Sequence, residues 1–306
     1  MIKPLPPLAL IAGSTASGKS ALALELAART GGVIVNADSA QLYRDIPVLS
    51  AAPGDRDRAR AGHSLYGVID GATACSAAER AALARGEISA IQAAGRLPIL
   101  VGGTGLYLRT LLDGIAPVPP INPGIRAEVR AASVEANRTR LAERDPAAAA
   151  RLAPADATRT ARALEVVLST GRPLAAWQEQ REGGIAAQVA LAPLILLPPR
   201  DWLYARCDAR FAAMLYGGAV AEVEALLARN LDPQLPVMRA IGVREIAAML
   251  RGELSREQAL AAGQQATRNY AKRQYTWFAH QPPGEWPRFG EPVEGHLSEA
   301  LALLDA

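Results

Sequence analysis

A glycine-rich octapeptide near the start of the chain constrains the fold more than any other stretch. It follows the apolar run at residues 8–12 and precedes an alanine- and leucine-rich stretch at residues 21–28. The phosphate-binding P-loop, G-x-x-x-x-G-K-[ST], requires this order of strand, glycine-rich turn and helix. Its glycines allow backbone geometries in which successive N–H groups point at an anion. The predicted cradle consists of Gly13, Ser14, Thr15, Ala16, Ser17, Gly18, Lys19 and Ser20.

Two side chains of this loop supply further chemistry. The Lys19 ammonium can bring a mobile positive charge to the outer phosphate oxygens, and the Ser20 hydroxyl is a candidate ligand for Mg²⁺. Lysine is rare in this chain, occurring only at Lys3, Lys19 and Lys272, so Lys19 is not part of a general lysine background. The motif therefore predicts a polyphosphate ligand, without specifying ATP.

Composition and charge exclude several classes of protein. The chain has 306 residues, half of them hydrophobic, and a net charge of +3, which is compatible with a nucleotide or RNA ligand. Cys75 and Cys207 form no C-x-x-C pair, and the three histidines are scattered, so we expect neither a disulfide framework nor a zinc site. No apolar run is long enough to span a membrane, and residues 1–12 lack a signal peptide. We expect a cytoplasmic protein that makes no membrane contact, with a monomer as the default.

Two further predicted strands end in residues that can bind a ligand. The β-branched run at residues 33–35 leads to Asp38, and the apolar run at residues 97–101 leads to a glycine-rich stretch that contains Thr104. Because ligands bind beyond the carboxyl ends of parallel strands, both ends should share an edge of the sheet with the P-loop. Asp38 is a candidate Mg²⁺ ligand or general base, with a role in capping the next turn as the alternative.

A proline-rich segment at residues 117–123 marks a change in composition. Helices are predicted beyond it at residues 125–141 and 157–169, and a strand-like run at residues 189–197 predicts a return to the sheet. We therefore predict an α/β fold, with a P-loop NTPase-like parallel sheet core, a helical insertion domain and a helical C-terminal part. The predicted boundaries are 1–119 for the first part of the core, 120–187 for the insertion and 188–306 for the remainder.

The segments that flank these elements are predicted to be less regular. Residues 51–75 are rich in glycine, proline and arginine, which favours irregular structure. Beyond the strand at residues 189–197, one helix begins at Asp201 and another covers residues 219–229. Residues 282–306 are predicted to form a loosely packed tail with a short final helix.

Basic side chains are concentrated on two predicted helices. Arg159 and Arg162 lie three residues apart on one face of the helix at residues 157–169, where a solvated face is the ordinary explanation. The helix at residues 262–278 carries basic residues beside aromatic ones. Such interleaving suits a nucleic-acid surface, but it fits an amphipathic helix with aromatic core residues equally well.

Taken together, these motifs resemble those of the tRNA dimethylallyltransferases, a family also called tRNA isopentenyltransferases. The resemblance covers nearly the whole chain, and the order and spacing of the motifs are highly specific. The resemblance implies a P-loop α/β core with a helical insertion that grips the anticodon stem of tRNA. The matching stretches are residues 13–20, 38–44, 101–107, 159–165, 206–211, 239–242 and 267–278.

The resemblance also implies a reaction. A dimethylallyl group would pass from dimethylallyl diphosphate to N6 of the adenosine next to the anticodon on its 3′ side, position 37 of tRNA, with release of diphosphate. Lys19, Arg210 and a Mg²⁺ held partly by Ser20 would neutralise the departing diphosphate. Asp38 would accept the N6 proton, and Thr104 would lie near the reacting centre. The implied catalytic residues are thus Asp38, Lys19, Thr104 and Arg210.

A larger set of residues would contact the anticodon stem-loop by their position in the family motifs. The implied tRNA-binding residues are Asp38, Ser39, Ala40, Gln41, Thr104, Arg126, Thr158, Arg159, Thr160, Ala161, Arg162, Arg239, Ala240, Ile241, Gly242, Val243, Arg244, Arg268, Lys272 and Arg273.

The chain departs from the family pattern at several positions. Ser14 stands where proline is usual, and Ser20 stands where threonine is usual, which keeps the hydroxyl. Ala52 stands where lysine is usual, so the charge contact of that lysine is not expected here. The insertion around residues 131–145 is somewhat shorter than usual.

Three alternatives remain open at this point. A P-loop small-molecule kinase would use Asp38 to activate a hydroxyl, but the sequence offers no convincing arginine-rich lid for ATP. An adenylate isopentenyltransferase would modify a free nucleotide and would not need the insertion at residues 120–187. An RNA-binding protein without activity would have no need of Lys19 and Asp38.

Overall fold

A six-stranded sheet forms the centre of the computed structural model, which describes residues 4–304. The strand order is β3-β2-β4-β1-β5-β6, and every pairing between neighbours is parallel. This arrangement, together with its many helices, confirms the predicted α/β fold. The strands are β1 Pro7–Gly13, β2 Val33–Asn36, β3 Gly62–Ser64, β4 Pro98–Gly102, β5 Ala190–Leu196 and β6 Arg288–Phe289.

Helices precede and follow these strands along residues 4–304. They are α1 Lys19–Thr30, α2 Asp55–Arg60, α3 Ala77–Ala93, α4 Gly105–Asp113, α5 Pro123–Ala131, α6 Val134–Arg144, α7 Pro146–Arg151, α8 Ala157–Thr170, α9 Leu174–Gln178, α10 Arg200–Tyr216, α11 Ala219–Ala228, α12 Val243–Leu250, α13 Arg256–His280 and α14 Leu297–Ala302. Short 3₁₀ turns occupy Ala186–Gln188 and Val237–Arg239.

The central strands are buried, which explains their unbroken apolar sequences. Leu8, Leu10 and Ile11 of β1 have no exposed surface, and neither have Ile99 and Leu100 of β4. Strands of parallel sheets that are covered on both faces typically read as continuous aliphatic runs. Because β1 pairs with β4 and β4 pairs with β2 in parallel, the carboxyl ends of these three strands open at one edge of the sheet.

Contacts divide the chain into two compact units. One comprises residues up to Leu111 and from Ala186 onward, and the other runs from Leu112 to Ile185. The second unit is helical, with a core that includes Val129, Leu141 and Leu164. The predicted insertion boundary at residues 120–187 stays a prediction, because division by contacts does not define a folding domain.

Two segments are more regular than their sequences predict. Within residues 51–75, α2 and β3 form, so the expectation of irregular structure is wrong for residues 55–64: β3 is paired with β2, a tertiary contact that the local composition does not encode. The C-terminal segment is not a loose tail either. Its β6 extends the sheet beside β5, and Phe289, Val293 and Leu301 are buried in the core that covers α1.

Two predicted helices have different limits in the structure. The helix expected at residues 125–141 is divided into α5 and α6, because Ser133 caps α6 by accepting a hydrogen bond from the Ala136 N–H. The helix expected at residues 262–278 begins earlier, at Arg256. A capping box there joins Ser255 and Gln258, in which each side chain accepts a hydrogen bond from the other residue's backbone N–H. Both differences arise from caps, which fix where a helix starts.

No single helix between residues 4 and 304 is both long and apolar enough to cross a membrane. Helices α10 and α11 pass that test only as a pair, with a bend of 62° between them.

Candidate active site

The P-loop connects β1 to α1 through strained backbone that only certain residues tolerate. Gly13 has φ = +149°, and a Cβ atom there would lie 2.5 Å from the Leu196 carbonyl oxygen. Ala16 adopts φ = +63° although it is not a glycine, and the Arg206 Nε–H donates a hydrogen bond to its carbonyl (3.1 Å). The geometry of the loop is thus fixed partly by β5 and α10, which lie far away in the sequence.

Hydrogen bonds to α13 also fix the position of the loop. The Ser14 hydroxyl donates a hydrogen bond to the Ala271 carbonyl (3.3 Å), so the serine that replaces the usual proline anchors the loop to this helix. The Gln274 side chain accepts a hydrogen bond from the Thr15 N–H (2.7 Å) and donates another to the Gly103 carbonyl (2.7 Å). Gln274 therefore connects the P-loop to the glycine-rich end of β4.

Two cations lie side by side at this loop. The Lys19 ammonium donates a hydrogen bond to the Ser14 carbonyl, and the Arg210 guanidinium donates one to the Thr15 hydroxyl. Burial lowers the pKa of Lys19 to about 8, which the nearby Asp38 carboxylate opposes and Arg210 reinforces. Burial likewise lowers the pKa of Arg210. Holding both groups charged in this position has a free-energy cost that a bound anion would offset.

Asp38 lies at the carboxyl end of β2, where its backbone and side chain are both fixed. Its N–H donates a hydrogen bond to the buried Asn36 side chain (2.7 Å), and its Oδ1 accepts one from the Ala40 N–H (2.9 Å). The capping role considered from the sequence is therefore present, but it uses only one carboxylate oxygen. The adjacent Ser39 N–H donates to the Thr104 hydroxyl (3.2 Å), which joins the ends of β2 and β4.

A cavity of about 310 Å³ lies beside these groups, although Lys19 and Thr104 are not among the residues that line it. Thr15, Asp38 and Arg210 line its polar part. The remaining wall is largely apolar and aromatic, with basic side chains among them. These further lining residues include Tyr43, Ile46, Leu49, Arg80, Phe211, Met214, Arg239, Ile241, Tyr270 and Arg273. One P-loop residue, an arginine, a carboxylate and an apolar surface thus face a single space.

The sequence matches known families over nearly its whole length. A family model described as IPP transferase matches residues 41–281, and one described as isopentenyl transferase matches residues 6–61. A tRNA dimethylallyltransferase from Sphingopyxis alaskensis is 63% identical over 297 residues, which are 97% of both chains. Another from Novosphingobium aromaticivorans is 67% identical over 256 residues, covering 84% of this chain and 91% of the relative.

The chain belongs to the tRNA dimethylallyltransferase family. The family predicted from the motifs is thereby confirmed, and the chain is an enzyme of the prenyltransferase class.

Solved structures of tRNA isopentenyltransferases share the fold. One from Bacillus halodurans superposes with a TM-score of 0.70 at 29% identity and covers 98% of this chain and 97% of its own. A eukaryotic dimethylallyltransferase, captured acting on tRNA, gives a TM-score of 0.77 at 26% identity and covers 89% of this chain and 69% of its own. Both agree with a parallel sheet core of the P-loop type.

The residues that the family pattern assigns to tRNA contact occupy different environments around the core. Ser39, Ala40 and Ile241 line the cavity. The Gln41 amide instead donates hydrogen bonds to the carbonyls of Ser50 and Ala51, which fixes the loop after β2. Arg239 and Ala240 line the cavity as well. Arg239 and Arg244 are also exposed at the surface, whereas Gly242 and Val243 are buried.

The basic residues of α13 lie on two different faces of the helix. Arg273 lines the cavity together with Thr267 and Tyr270. Arg268 and Lys272 instead line a separate groove beside the start of α10. Arg268 is paired there with Asp208 at 2.6 Å. The basic surface predicted for this helix is therefore divided between the cavity and its outer side.

In the helical unit, the assigned residues alternate between surface and core. The Arg159 side chain is 77% exposed and pairs with Asp156 (3.4 Å). Thr160 and Ala161 are buried in the unit, so only their exposed neighbours on α8 can contact RNA. Thr158 is exposed, as is much of the Arg126 side chain.

Two cavity or loop residues were missed by sequence reasoning. Arg80 of α3 lines the cavity and donates a hydrogen bond to the Cys75 carbonyl (2.7 Å). No local motif marks this residue in the sequence, because the packing of α3 is what places it at the cavity. Gln274 lies inside the stretch at residues 267–278 that carries the family resemblance. A polar residue on the buried face of an amphipathic helix was the available signal.

Replacing Gln274 with leucine is expected to destabilise the core. The Thr15 N–H and the Gly103 carbonyl would both lose their partner at a site where Gln274 is only 6% exposed. Loss of the partner of the buried Gly103 carbonyl and of the partly buried Thr15 N–H should lower the free energy of unfolding by about 3 kcal/mol. Urea denaturation followed by circular dichroism measures this change.

Gln265→Leu is the matched control for that prediction. It makes the same substitution on the exposed side of the same helix and should change the free energy of unfolding by less than about 0.5 kcal/mol. Equal losses at the two positions would contradict a specific role for Gln274.

Proposed function

We propose that this enzyme transfers a dimethylallyl group from dimethylallyl diphosphate to N6 of adenosine 37 in tRNA and releases diphosphate. The observation that carries this proposal is one cavity lined by Thr15 of the P-loop, Arg210 and the Asp38 carboxylate together with apolar side chains. A five-carbon donor needs both a diphosphate cradle and an apolar surface for its hydrocarbon chain, and this cavity offers both.

The P-loop would hold the diphosphate as a leaving group. During the reaction the bond between C1 of the dimethylallyl group and its diphosphate oxygen breaks, and the electron pair stays on that oxygen. Lys19 and Arg210 stabilise the added negative charge, because fixed cations already aimed at the site need no reorganisation. The Ser17 hydroxyl is buried without a hydrogen-bond partner within residues 4–304 and supports this assignment as a further donor to the diphosphate.

Magnesium is proposed as the metal cofactor. Ser20 is exposed in the first turn of α1, where its hydroxyl has no partner among the described residues. No group of three or more His, Cys, Asp or Glu side chains that could hold a metal occurs in residues 4–304. This sparse donor set fits Mg²⁺, which is commonly bound by one or two protein ligands together with substrate phosphates. When bound beside Ser20, it would supply positive charge to the diphosphate oxygens.

Asp38 is proposed as the general base. The exocyclic amine of adenine is a weak nucleophile, and positive charge builds on N6 as it bonds to C1 of the donor. Transfer of the N6 proton to the carboxylate removes that charge. Oδ1 is already engaged by the Ala40 N–H, which orients the carboxylate and leaves Oδ2 for the proton. Thr104, linked to Ser39, would lie next to the reacting amine.

The target adenosine must leave the stacked anticodon loop to reach the cavity. Exposed Arg239 and Arg244, together with Arg273 at the cavity, would contact the RNA backbone around the extruded base. The helical unit would hold the anticodon stem through Arg126, Arg159 and Arg162. The reaction is proposed to take place in the cytoplasm, with the enzyme acting as a monomer.

A donor-transfer assay tests the proposal. The protein is incubated with Mg²⁺, radiolabelled dimethylallyl diphosphate and an unmodified tRNA transcript that carries adenosine 37, and label is measured in the RNA. A transcript with guanosine at position 37 is the matched control and should remain unlabelled. Transfer to AMP and not to tRNA would replace this proposal with an adenylate isopentenyltransferase, and phosphate transfer from ATP would replace it with a kinase.

A further inference from the structure

Three arginines of the helical unit surround one buried carboxylate. Glu165 lies on α8 with its side chain only 1% exposed. The Arg130 Nε–H donates a hydrogen bond to Glu165 Oε1 at 2.5 Å. Arg126 and Arg162 lie on the other side of the carboxylate, each with a guanidinium nitrogen 4.0 Å from Oε2. Residues from α5 and α8 thus converge on a single negative charge.

The cluster carries more positive charge than its carboxylate can neutralise. Three guanidinium groups and one carboxylate leave two positive charges in excess. The pKa of Arg162 is lowered by burial and, to a lesser degree, by Arg126 and Arg130, while Glu165 opposes the shift. The arginines therefore repel one another, and an anion would relieve that repulsion.

The geometry leaves donors available for such an anion. Arg126 and Arg162 are too far from Oε2, at 4.0 Å, for a hydrogen bond, and Oε2 is buried without a hydrogen-bond partner in the described chain. The arginine side chains are between 40% and 56% exposed. Their guanidinium groups are thus gathered at one place and keep free N–H groups, which suits bidentate binding of a phosphate.

We propose that Glu165 is a positioning residue that holds Arg126, Arg130 and Arg162 as one phosphate-binding site for the tRNA backbone. Arg130, which no family motif assigned to RNA contact, belongs to this site because it anchors the carboxylate. The proposal rests on the proposed function, since it presupposes tRNA as the ligand.

Glu165→Gln distinguishes this proposal from a patch that acts through positive charge alone, because the two predict opposite changes in tRNA affinity. Removing a carboxylate makes the unit more positive, so a patch acting through net charge alone would bind tRNA more tightly. If Glu165 positions the arginines, they separate when their shared partner is lost, and binding weakens. Glu165→Asp keeps the charge on a side chain one methylene shorter and should recover part of the affinity.

The experiment measures the dissociation constant of an unmodified tRNA transcript at several KCl concentrations. Arg130→Gln should raise it about fivefold and reduce the slope of log K against log salt by about one. Glu165→Gln should raise it about tenfold or more and reduce the slope by about two, because two of the three arginine contacts with phosphate are lost. The KM for tRNA should rise in parallel, with kcat changed less than twofold.

Arg151→Gln is the matched control. It removes one positive charge from an exposed position of the same unit that has no contact with Glu165, and it should leave the salt slope unchanged. The dissociation constant of dimethylallyl diphosphate, measured in every variant, should also stay constant. A change in donor affinity instead of tRNA affinity would identify the bound phosphate as that of the free diphosphate and would overturn the proposal.

Two further outcomes would overturn the proposal. If the Glu165→Gln variant folds and binds tRNA equally or more tightly, the cluster has only a structural role, as an ion pair that joins two helices. If that variant does not fold, Arg130→Gln still tests the proposal, because it changes a half-exposed side chain. An unaltered salt dependence of tRNA binding in Arg130→Gln would reject the phosphate-binding site. Failure of the proposed function would give a different result, because the unaltered enzyme would then transfer no label to tRNA.

Discussion

Replacing Asp38 with asparagine is expected to lower kcat for tRNA prenylation by about three orders of magnitude, the middle of the range for loss of a positioned general base. The affinity for dimethylallyl diphosphate should change less than about twofold, because the P-loop donors do not involve this side chain. Single-turnover transfer of labelled donor, with the enzyme in excess, measures the chemical step without product release.

Asparagine is the most informative substitution at this position. Its amide oxygen can still accept the hydrogen bond from the Ala40 N–H that Asp38 Oδ1 accepts at 2.9 Å, so the turn after β2 should keep its shape. The amide cannot accept the N6 proton. A loss of rate in Asp38→Asn therefore reports proton transfer, whereas Asp38→Ala would also remove the cap.

Asp55→Asn provides the control for Asp38→Asn. It makes the same chemical change at an exposed position in the first turn of α2, outside the residues that line the cavity, and should leave kcat within about twofold. Turnover by Asp38→Asn at near the unaltered rate would exclude Asp38 as the base and return it to its capping role.

Replacing Lys19 with methionine is expected to lower kcat/KM by about a thousandfold, since removing one preorganised donor to a developing oxyanion typically costs a factor of 10²–10³. Methionine approximates the length of the lysine stem, so the apolar packing should be largely retained. The loss should appear both in donor affinity and in the chemical step, because the diphosphate is bound before the reaction and gains charge during it.

The pH dependence of donor binding provides an independent test of Lys19. Burial lowers its pKa to about 8 in the free enzyme, so Lys19 is charged below that pH and becomes neutral above it. Donor affinity should therefore fall as the pH rises through about 8. In Lys19→Met this decline should disappear, while any titration of the donor itself remains in both proteins. Parallel pH profiles would contradict a role for the Lys19 ammonium in binding.

The same lowered pKa has a consequence for stability. In the unfolded chain lysine keeps its ordinary pKa of 10.5, so between about pH 8 and 10.5 the unfolded state binds more protons than the folded state. The contribution of Lys19 to the free energy of unfolding should then rise with pH across that window. Stabilisation by added diphosphate should be greatest below about pH 8, where the buried ammonium is charged.

Much of the site could be predicted because its parts follow strands. The P-loop, Asp38 and Thr104 each come directly after an apolar run, and parallel strands bring their carboxyl ends to one edge. Arg80 and the dual role of Gln274 could not be predicted in this way. Both reach the site from helices, and the face that a helix turns toward the cavity depends on what it packs against.

The helix α13 illustrates the limit of pattern reasoning. Its basic and aromatic residues fitted a nucleic-acid surface and a core helix equally well, and the structure contains elements of both. Thr267 and Gln274 are buried, Arg273 lines the cavity and Arg268 pairs with Asp208 on the outer side. A pattern along one helix cannot specify which neighbours its faces will meet.

The sequence by itself determined the parallel α/β core, the glycine-rich loop between β1 and α1 and the family, because these depend on local order: apolar run, glycine-rich turn, helix. Only the tertiary structure decided that α2, β3 and β6 exist, that α13 supports the P-loop, and that Glu165 collects three arginines. Such features arise from contacts between residues distant in sequence. Their free energy depends on burial and on electrostatic interactions between distant side chains, which no local pattern encodes.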